Sequence, residues 1–284
     1  MACCPDGALP SAPAPAAPDC AGEMQVVDGV QMYVVGSATD SGAAVLVAHD
    51  VFGISSGRTL QICDGIAADL GVLVVAPVFW PNGGMAGGEW VGTGVGDFAV
   101  PTEKQSLWTA PLRLARWFLG LPFFMRDCSR LPWSELQPTF ENVLLPALRA
   151  RGAGKIGLLG FCWGGWFVLH GSADDGVRCG VSCHPGMDLT MLHGERREDL
   201  FRGVKCPQLF LSSYQEAADV KPGGMAEVVL RGKDLPCEAV EYPQMRHGWV
   251  NRGMLEDPEV AREAADAIKR AKAWFTQHLE LSVT

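Results

Sequence analysis

Cys162 lies two residues after one glycine and two residues before another, at the junction of two apolar segments. The stretch Gly160-Phe161-Cys162-Trp163-Gly164 has the pattern Gly-x-Cys-x-Gly, which is the nucleophile-elbow pattern with sulfur in place of oxygen. Such a turn presents its central side chain for attack on a carbonyl carbon, and the glycines leave room for the backbone to cross closely. The N–H of Trp163, at the start of the following helix, is placed to face an oxyanion beside the sulfur. A buried cysteine in a glycine-rich core turn is the alternative interpretation.

The other parts of a cysteine hydrolase follow along the chain. Acyl transfer by a thiol requires a base, a group that orients the base, and donors for the oxyanion. His247 follows the last predicted strand, and the loop after an earlier strand contains Glu216 and Asp219, either of which can be the acid. Each residue alone more often has a structural or solvated role. The order nucleophile, acid, histidine, each after a strand, favours a catalytic site.

The elements that must position these residues alternate between strand and helix. Short apolar runs rich in β-branched residues predict strands, and apolar residues every three or four positions predict helices. Strands are expected at Met24–Val27, Gln31–Val35, Ala43–Ala48, Val72–Ala76, Lys155–Leu159, Cys179–Cys183, Gln208–Leu211 and Cys237–Tyr242. Helices are expected at Gly57–Leu70, Leu112–Leu121, Ser134–Arg151, Gly164–His170, Met225–Arg231 and from Pro258 to about His278. The alternation predicts an α/β fold with a mainly parallel sheet and helices on both faces.

Local signals refine this pattern. Asp28-Gly29 predicts the turn of a hairpin between the first two strands, and Gly71 is expected to end the first helix. Ser134 with Gln137 has the spacing of a capping box, which predicts the start of the third helix. The segment Gln244–Gly253, which contains the histidine, is expected to be a loop.

Two segments lack such regularity. Residues 1–23 are rich in Ala, Pro and Cys and are expected to form an extended N-terminal arm. Residues 77–132 are rich in glycine, proline and tryptophan and are expected to form an irregular cap. Residues 24–284 are expected to form a single domain, because a chain of this length and apolar content can bury one large core.

Composition narrows the possible function. The 284 residues carry a formal net charge of −9 and Lys and Arg form no basic run, which argues against a nucleic-acid partner. Neither a signal-peptide pattern nor an apolar run of about 18 residues occurs, so a cytoplasmic protein without a membrane partner is expected. The ten cysteines lack paired metal-ligand spacing, so we expect reduced thiols and neither a metal nor another cofactor. The expected state is a monomer or weak dimer.

Four blocks of sequence together resemble a known family. They are Ala48-His49-Asp50-Val51-Phe52-Gly53, Gly160-Phe161-Cys162-Trp163-Gly164-Gly165, Cys183-His184-Pro185 and His247-Gly248-Trp249-Val250-Asn251-Arg252. With the opening Cys3-Cys4-Pro5, they are similar to sequences of the dienelactone hydrolase family, the carboxymethylenebutenolidase-like branch of the α/β-hydrolases. The resemblance covers most of the chain and implies an α/β-hydrolase fold.

The resemblance also implies a catalytic triad. It makes Cys162 the nucleophile and His247 the base, and the family's acid falls on Glu216. Because Glu216 replaces the usual Asp, Asp219 stays the alternative acid.

Further roles follow from the first block. Asp50 matches a carboxylate that interacts with the resting thiol, although Glu is more usual at this position. Its physical role would be to keep sulfur and histidine from settling into an unproductive ion pair. The amide of Val51 becomes the second oxyanion donor, beside the amide of Trp163.

For the substrate, the resemblance points to Arg252. It matches an arginine near the catalytic histidine and is suited to bind a substrate carboxylate. A second carboxylate-binding arginine, expected after Val72–Ala76, has no counterpart between Pro77 and Ser106. That departure weakens the assignment to dienelactones in particular.

The sequence therefore predicts a hydrolase of small-molecule carboxylic esters or lactones that works through a thioester acyl-enzyme. Two alternatives remain open. The same triad can serve a thioesterase or acyltransferase, and the cap would decide between these activities. The replaced carboxylates, Glu216 and Asp50, also leave open a non-catalytic α/β-hydrolase scaffold that binds a small ligand or partner.

Overall fold

A computed structural model of the chain describes residues 20–55, 57–79 and 131–282, which include a sheet of eight strands. The strands are β1 (Glu23–Val27), β2 (Val30–Val35), β3 (Ala43–Ala48), β4 (Leu73–Pro77), β5 (Lys155–Phe161), β6 (Val177–Cys183), β7 (Gln208–Ser213) and β8 (Cys237–Tyr242). Every predicted strand is present, and β3 and β8 have the predicted ends.

The order of strands in the sheet is β1-β2-β4-β3-β5-β6-β7-β8. The pairs β1–β2 and β2–β4 are antiparallel, and all other pairs are parallel. The prediction of a mainly parallel sheet is confirmed. Ala48 at the end of β3 lies opposite Gly160 near the end of β5. Because parallel strands end at one edge of a sheet, the loops that follow them gather there.

Nine helices lie among the remaining described residues. They are α1 (Thr59–Leu70), α2 (Trp133–Thr139), α3 (Leu145–Ala150), α4 (Trp163–Gly171), α5 (Leu189–Leu192), α6 (Arg197–Gly203), α7 (Met225–Arg231), α8 (Trp249–Arg252) and α9 (Pro258–His278). A π-helical turn, Phe140–Leu144, joins α2 to α3, and a 3-10 turn spans Ala218–Val220. None of the helices in the described part of the chain is long and apolar enough to cross a membrane.

Both faces of the sheet are buried, as strand β3 illustrates. Its side chains alternate between two apolar clusters: Ala44, Leu46 and Ala48 belong to one, and Ala43, Val45 and Val47 belong to the other. Trp166 of α4 packs in the first cluster, and Phe275 of α9 packs in the second. Alternate side chains of a strand point to opposite faces, so helices cover both faces of this sheet, as predicted.

The predicted hairpin turn and first helix end are confirmed. Asp28 and Gly29 both have positive φ angles, 48° and 82°, as a two-residue hairpin turn of this kind requires. Gly71 ends α1 in the left-handed conformation, and its N–H donates to the carbonyl of Ala67.

The start predicted for the third helix was wrong. Helix α2 begins at Trp133, after Pro132, and no side chain caps it. The amide of Gln137 donates instead to Glu141, one turn further along the helix, at 2.7 Å. Because the helix starts one residue earlier than predicted, Ser134 is inside its first turn and cannot act as the cap.

The predicted helix Ser134–Arg151 is present, but it is not α-helical throughout. Its π-helical turn lies between Pro138 and Pro146. Proline has no N–H to donate within a helix. A local change from hydrogen bonds that span four residues to hydrogen bonds that span five accommodates this loss. The N–H of Leu145 accordingly donates to the carbonyl of Phe140.

Several expectations fall on residues that the structure does not describe. These are residues 1–19 of the predicted arm, residues 80–130 of the predicted cap and the helix expected at Leu112–Leu121. The loop predicted at Gln244–Gly253 is described, and it contains the short helix α8.

Candidate active site

The nucleophile turn connects β5 to α4. Cys162 follows the strand directly and has φ 55° and ψ −111°, a backbone conformation that residues other than glycine rarely adopt. A Cβ at Gly160 would overlap the backbone of Gly164, and a Cβ at Gly164 would overlap the carbonyl of Ala48. Glycine is therefore required at both positions for the helix to start so close to the sheet.

His247 lies in the loop after β8 and is held by two residues of the loop after β7. Its Nδ1 is 2.7 Å from Oε1 of Glu216, and its backbone N–H donates to Oε1 of Gln215 at 2.8 Å. The other carboxylate oxygen of Glu216 accepts the N–H of Ser213, the last residue of β7. The carboxylate is thus fixed at both oxygens, and it leaves Nε2 of the histidine for another partner.

Cys162 and His247 are both fully buried and interact with each other. Burial lowers the pKa of His247, but the charge of Cys162, its hydrogen bond and the contact with Glu216 outweigh burial and raise the pKa to about 9. A histidine with a pKa in this range is protonated at neutral pH. The arrangement therefore favours an imidazolium beside the sulfur.

Glu216 and Asp219 are separated by the structure. Asp219 forms an ion pair with Nη1 of Arg197 at 2.6 Å, whereas Glu216 contacts His247. Arg197 also pairs with Asp188 at 2.7 Å. Of the two carboxylates that the sequence left open, only Glu216 is in contact with the histidine.

Asp50 and Arg252 form a buried ion pair beside this group. Nε of Arg252 lies 3.0 Å from Oδ2 of Asp50, and both side chains are fully buried. The same oxygen accepts the side-chain amide of Asn251 at 2.9 Å, and the other accepts the N–H of Phe52. Arg252 also lies 4.7 Å above the ring of Phe52. The guanidinium that the sequence assigned to a substrate carboxylate is thus in contact with a carboxylate of the protein.

The pKa of Asp50 is raised because it is buried, and the nearby Cys162 raises it further. Arg252 and Asn251 act in the opposite direction. The coupling to Cys162 means that charge on Asp50 disfavours charge on the sulfur. Asp50 is thus in a position to influence the ionisation of the thiol.

The two predicted oxyanion donors lie at the same edge of the sheet. Val51 follows Asp50 in the turn after β3, and Trp163 is the first residue of α4. Strands β3 and β5 are direct neighbours, and the close approach of Gly164 to Ala48 brings the two turns together. Amides from two turns that flank a nucleophile are a common way to bind an oxyanion.

The structure adds residues that sequence reasoning did not single out. His184, after β6, lies with its ring centroid 5.0 Å from that of His247. Asn251 contacts Asp50, and Gln215 holds the backbone of His247. His184 and Asn251 belong to blocks on which the family resemblance rests, and His184 also follows a strand directly, which was a signal that could have identified it. Gln215 had no such signal.

Within the described ranges, no three or more acidic, histidine or cysteine side chains are grouped so that they could hold a metal ion.

Comparisons with known proteins agree with this fold. A model of the dienelactone hydrolase family matches residues 133–279, which is more than half of the chain. The carboxymethylenebutenolidase homolog of Rattus norvegicus is 26% identical over 238 residues, covering 81% of this chain and 80% of the relative. Hydrolase tropI of Talaromyces stipitatus is 23% identical over 264 residues, covering 91% of each chain.

Solved structures show the same fold at lower identity. A Klebsiella pneumoniae structure that is assigned as a dienelactone hydrolase has a TM-score of 0.62 at 17% identity. The match covers 90% of this chain and 98% of the Klebsiella chain. The dienelactone hydrolase of Anabaena variabilis has a TM-score of 0.51 at 16% identity and covers 92% of this chain and 100% of its own. By its match to the family model, the protein belongs to the dienelactone hydrolase family of α/β-hydrolases.

Proposed function

We propose that this protein hydrolyses carboxylic esters or lactones through a thioester acyl-enzyme. Cys162 is the nucleophile, His247 the base and Glu216 the acid that orients the base. The observation that carries the proposal is that buried His247 contacts Glu216 through Nδ1 at 2.7 Å and interacts with the buried thiol of Cys162. A nucleophile, a base and an orienting acid in contact are what acyl transfer requires.

Acylation begins at the sulfur. The thiolate of Cys162 attacks the carbonyl carbon, a C–S bond forms, and the carbonyl electron pair moves to oxygen. We assign the amides of Val51 and Trp163 to this oxyanion. When the carbonyl re-forms, the C–O bond to the leaving group breaks, and the alkoxide takes the proton from Nε2 of His247. An alcohol leaves, or in a lactone the hydroxyl stays attached to the acyl group.

Deacylation restores the enzyme. Nε2 of His247 removes a proton from water while the water oxygen attacks the thioester carbonyl. The C–S bond then breaks, and Cys162 leaves as a thiolate beside the protonated histidine. The products are a carboxylic acid and an alcohol, or a hydroxy acid from a lactone, and the sum is the addition of one water.

We assign Asp50 and Arg252 to the control of charge near the thiol. Asp50 disfavours charge on Cys162, and Arg252 offsets the charge of Asp50. A substrate carboxylate that reaches Arg252 would share its guanidinium with Asp50 and weaken their pair. Acidic substrates are therefore expected to depend on Arg252 more than neutral esters do.

The experiment that tests the proposal is hydrolysis of p-nitrophenyl acetate by wild type and Cys162→Ala, with and without iodoacetamide. Cys63→Ala is the control, because Cys63 is equally buried but lies in α1. We expect activity in wild type and in Cys63→Ala, and its loss after alkylation or in Cys162→Ala. Turnover that survives Cys162→Ala would rule out the nucleophile, and an inactive wild type would favour a binding scaffold. An active enzyme would next be screened with lactones and acyl thioesters.

A further inference from the structure

The turn after β6 holds the backbone of the nucleophile on both sides. The N–H of Cys162 donates to the carbonyl of Cys183 at 3.1 Å, and the carbonyl of Cys162 accepts the N–H of Gly186 at 2.8 Å. Between these two contacts, the N–H of His184 donates to the carbonyl of Leu211 in β7 at 2.7 Å. The turn therefore joins the nucleophile to the strand that leads to Glu216.

The side chain of His184 points from this turn to the base. It is fully buried, and its ring meets that of His247 edge to face, with 5.0 Å between centroids and 67° between planes. Trp249 and Phe161 pack on other sides of His184, at 5.4 Å and 6.0 Å between centroids. Neither ring nitrogen of His184 makes a hydrogen bond to another residue in the part of the chain that the structure describes.

Two features of His184 cost free energy. Its φ angle of 40° is uncommon for a residue other than glycine. A buried polar ring without a hydrogen-bond partner is also less favourable than an apolar ring of the same shape. Both costs occur at one residue in contact with the proposed base, and such costs are characteristic of functional positions.

The charges around His184 determine its own state. Burial holds the pKa of His184 well below its usual range, and the positive charges of His247, Arg252 and Arg58 act in the same direction. His184 is therefore neutral when His247 carries its proton. Burial opposes the charge of His247 as well. A polar neutral neighbour lessens the loss of solvation of an imidazolium, whereas an apolar neighbour does not.

We infer that His184 is a positioning residue for His247, a neutral polar ring that holds the histidine in line with Cys162 and sustains its protonated form. The inference rests on the proposed function of His247. It assigns no proton transfer to His184. Its consequence is that shape and polarity at position 184 contribute separately and can be separated by substitution.

The test uses His184→Phe, which keeps a ring and removes the nitrogens, and His184→Asn, which keeps polarity, tolerates a positive φ and removes the ring. The control is His193→Phe. His193 also has a buried ring nitrogen without a partner among the described residues, and it stacks on Trp166 away from the triad. Folding of each variant is checked by urea denaturation. The readouts are kcat and KM for p-nitrophenyl acetate and the rate of Cys162 alkylation by iodoacetamide, each from pH 5 to 10.

For His184→Phe, we expect a folded protein with unchanged KM in which the alkaline loss of activity moves to lower pH by about one unit, roughly tenfold in the protonation equilibrium. Alkylation of Cys162 near neutral pH should slow, because less imidazolium is present to stabilise the thiolate. For His184→Asn, the alkaline limb should stay near that of wild type while kcat falls. His193→Phe should match wild type throughout.

A merely structural role predicts another result. A folded His184→Phe variant with the kcat and pH profile of wild type would overturn the polar role. A His184→Asn variant with wild-type kcat would overturn the positioning role, even if His184→Phe failed to fold. If wild type hydrolyses no ester, the proposed function fails, and the alkylation profile still tests the effect of His184 on His247.

Discussion

At the scale of single residues, position decides which of two similar carboxylates can act. Glu216 and Asp219 lie three residues apart, and the sequence offered no physical reason to choose between them. In the structure, Glu216 contacts His247 and Asp219 pairs with Arg197. The longer side chain of Glu216 reaches the histidine while one of its oxygens is anchored on the N–H of Ser213. The family resemblance favoured Glu216, but the spacing of the two residues gave no physical reason for the choice, because it depends on where the chain turns after β7.

Exchange of each carboxylate for its amide tests this assignment. Glu216→Gln should lower kcat by about 10²–10⁴-fold, because the amide no longer stabilises the imidazolium or favours the required tautomer. Asp219→Asn should leave kcat within about twofold, since Asp219 has no contact with His247 and Arg197 keeps Asp188 as a partner. Kinetics with p-nitrophenyl acetate measure both. The reverse ranking would move the acid to Asp219.

The protonation of His247 gives a second test at this scale. The pKa of His247 is raised to about 9 against the effect of burial, and Cys162 is the main cause of the rise. Cys162→Ala removes that cause, so burial should prevail over Glu216 and the pKa should fall. NMR titration of the imidazole signals measures it, with Cys63→Ala as a control that should titrate like wild type. A value near 9 in Cys162→Ala would contradict the thiolate–imidazolium pair.

The same pKa sets the alkaline limb of activity. His247 must hold its proton to protonate the leaving alkoxide, so kcat/KM should fall as the pH rises through about 9. The position of this limb on the pH axis follows from the raised pKa, because a histidine with an ordinary pKa would lose its proton at lower pH.

At the scale of elements, the sequence predicted the ends of those strands and helices that neighbouring residues in the sequence determine. The ends of β3, β8 and α7 agree with the predictions because turn residues or abrupt changes of polarity mark them. The short helix α8 was not predicted, because a single turn has no periodicity to detect. The π-helical turn between α2 and α3 was also missed. Both of its flanking prolines were visible, but the helix continues past them by packing rather than by local preference.

The glycines of the nucleophile turn provide a test at this scale. Gly164→Ala places a methyl group against the carbonyl of Ala48, so α4 must move away from β3. We expect a loss of about 1–3 kcal/mol in the free energy of unfolding, as for other overpacked sites, and a loss of activity. Gly203→Ala at the end of α6 is the control, since a Cβ there meets nothing within 4 Å and should be neutral or stabilising. Equal stability of the two variants in urea denaturation would show that the turn tolerates the methyl group.

At the scale of the whole molecule, the site is assembled from the ends of five parallel strands. The turns after β3, β5, β6, β7 and β8 supply Asp50, Cys162, His184, Glu216 and His247, in that order. The sequence predicted this gathering because the strands are parallel and the loop after each one carries a candidate polar or thiol side chain. It did not predict which turns touch. That information lies in contacts between distant parts of the chain, such as the fit of Gly57 against the carbonyl of Asn251.

Arg58 joins the first and last of these turns, and its replacement tests whether that connection matters. Its guanidinium donates to the carbonyls of Gly253 at 2.6 Å and Trp249 at 2.7 Å, the latter 191 residues away, and so holds α8 at both ends. Lysine keeps the charge but cannot reach two diverging carbonyls at once. Arg58→Lys should therefore lower the free energy of unfolding by about 2 kcal/mol. Because the histidine loop is held less firmly, kcat should also fall by roughly tenfold.

Arg262→Lys, at an exposed arginine paired with Glu263, is the control and should change the free energy of unfolding by less than about 0.5 kcal/mol. Wild-type kcat in a destabilised Arg58→Lys variant would mean that the connection supports the fold without orienting the site.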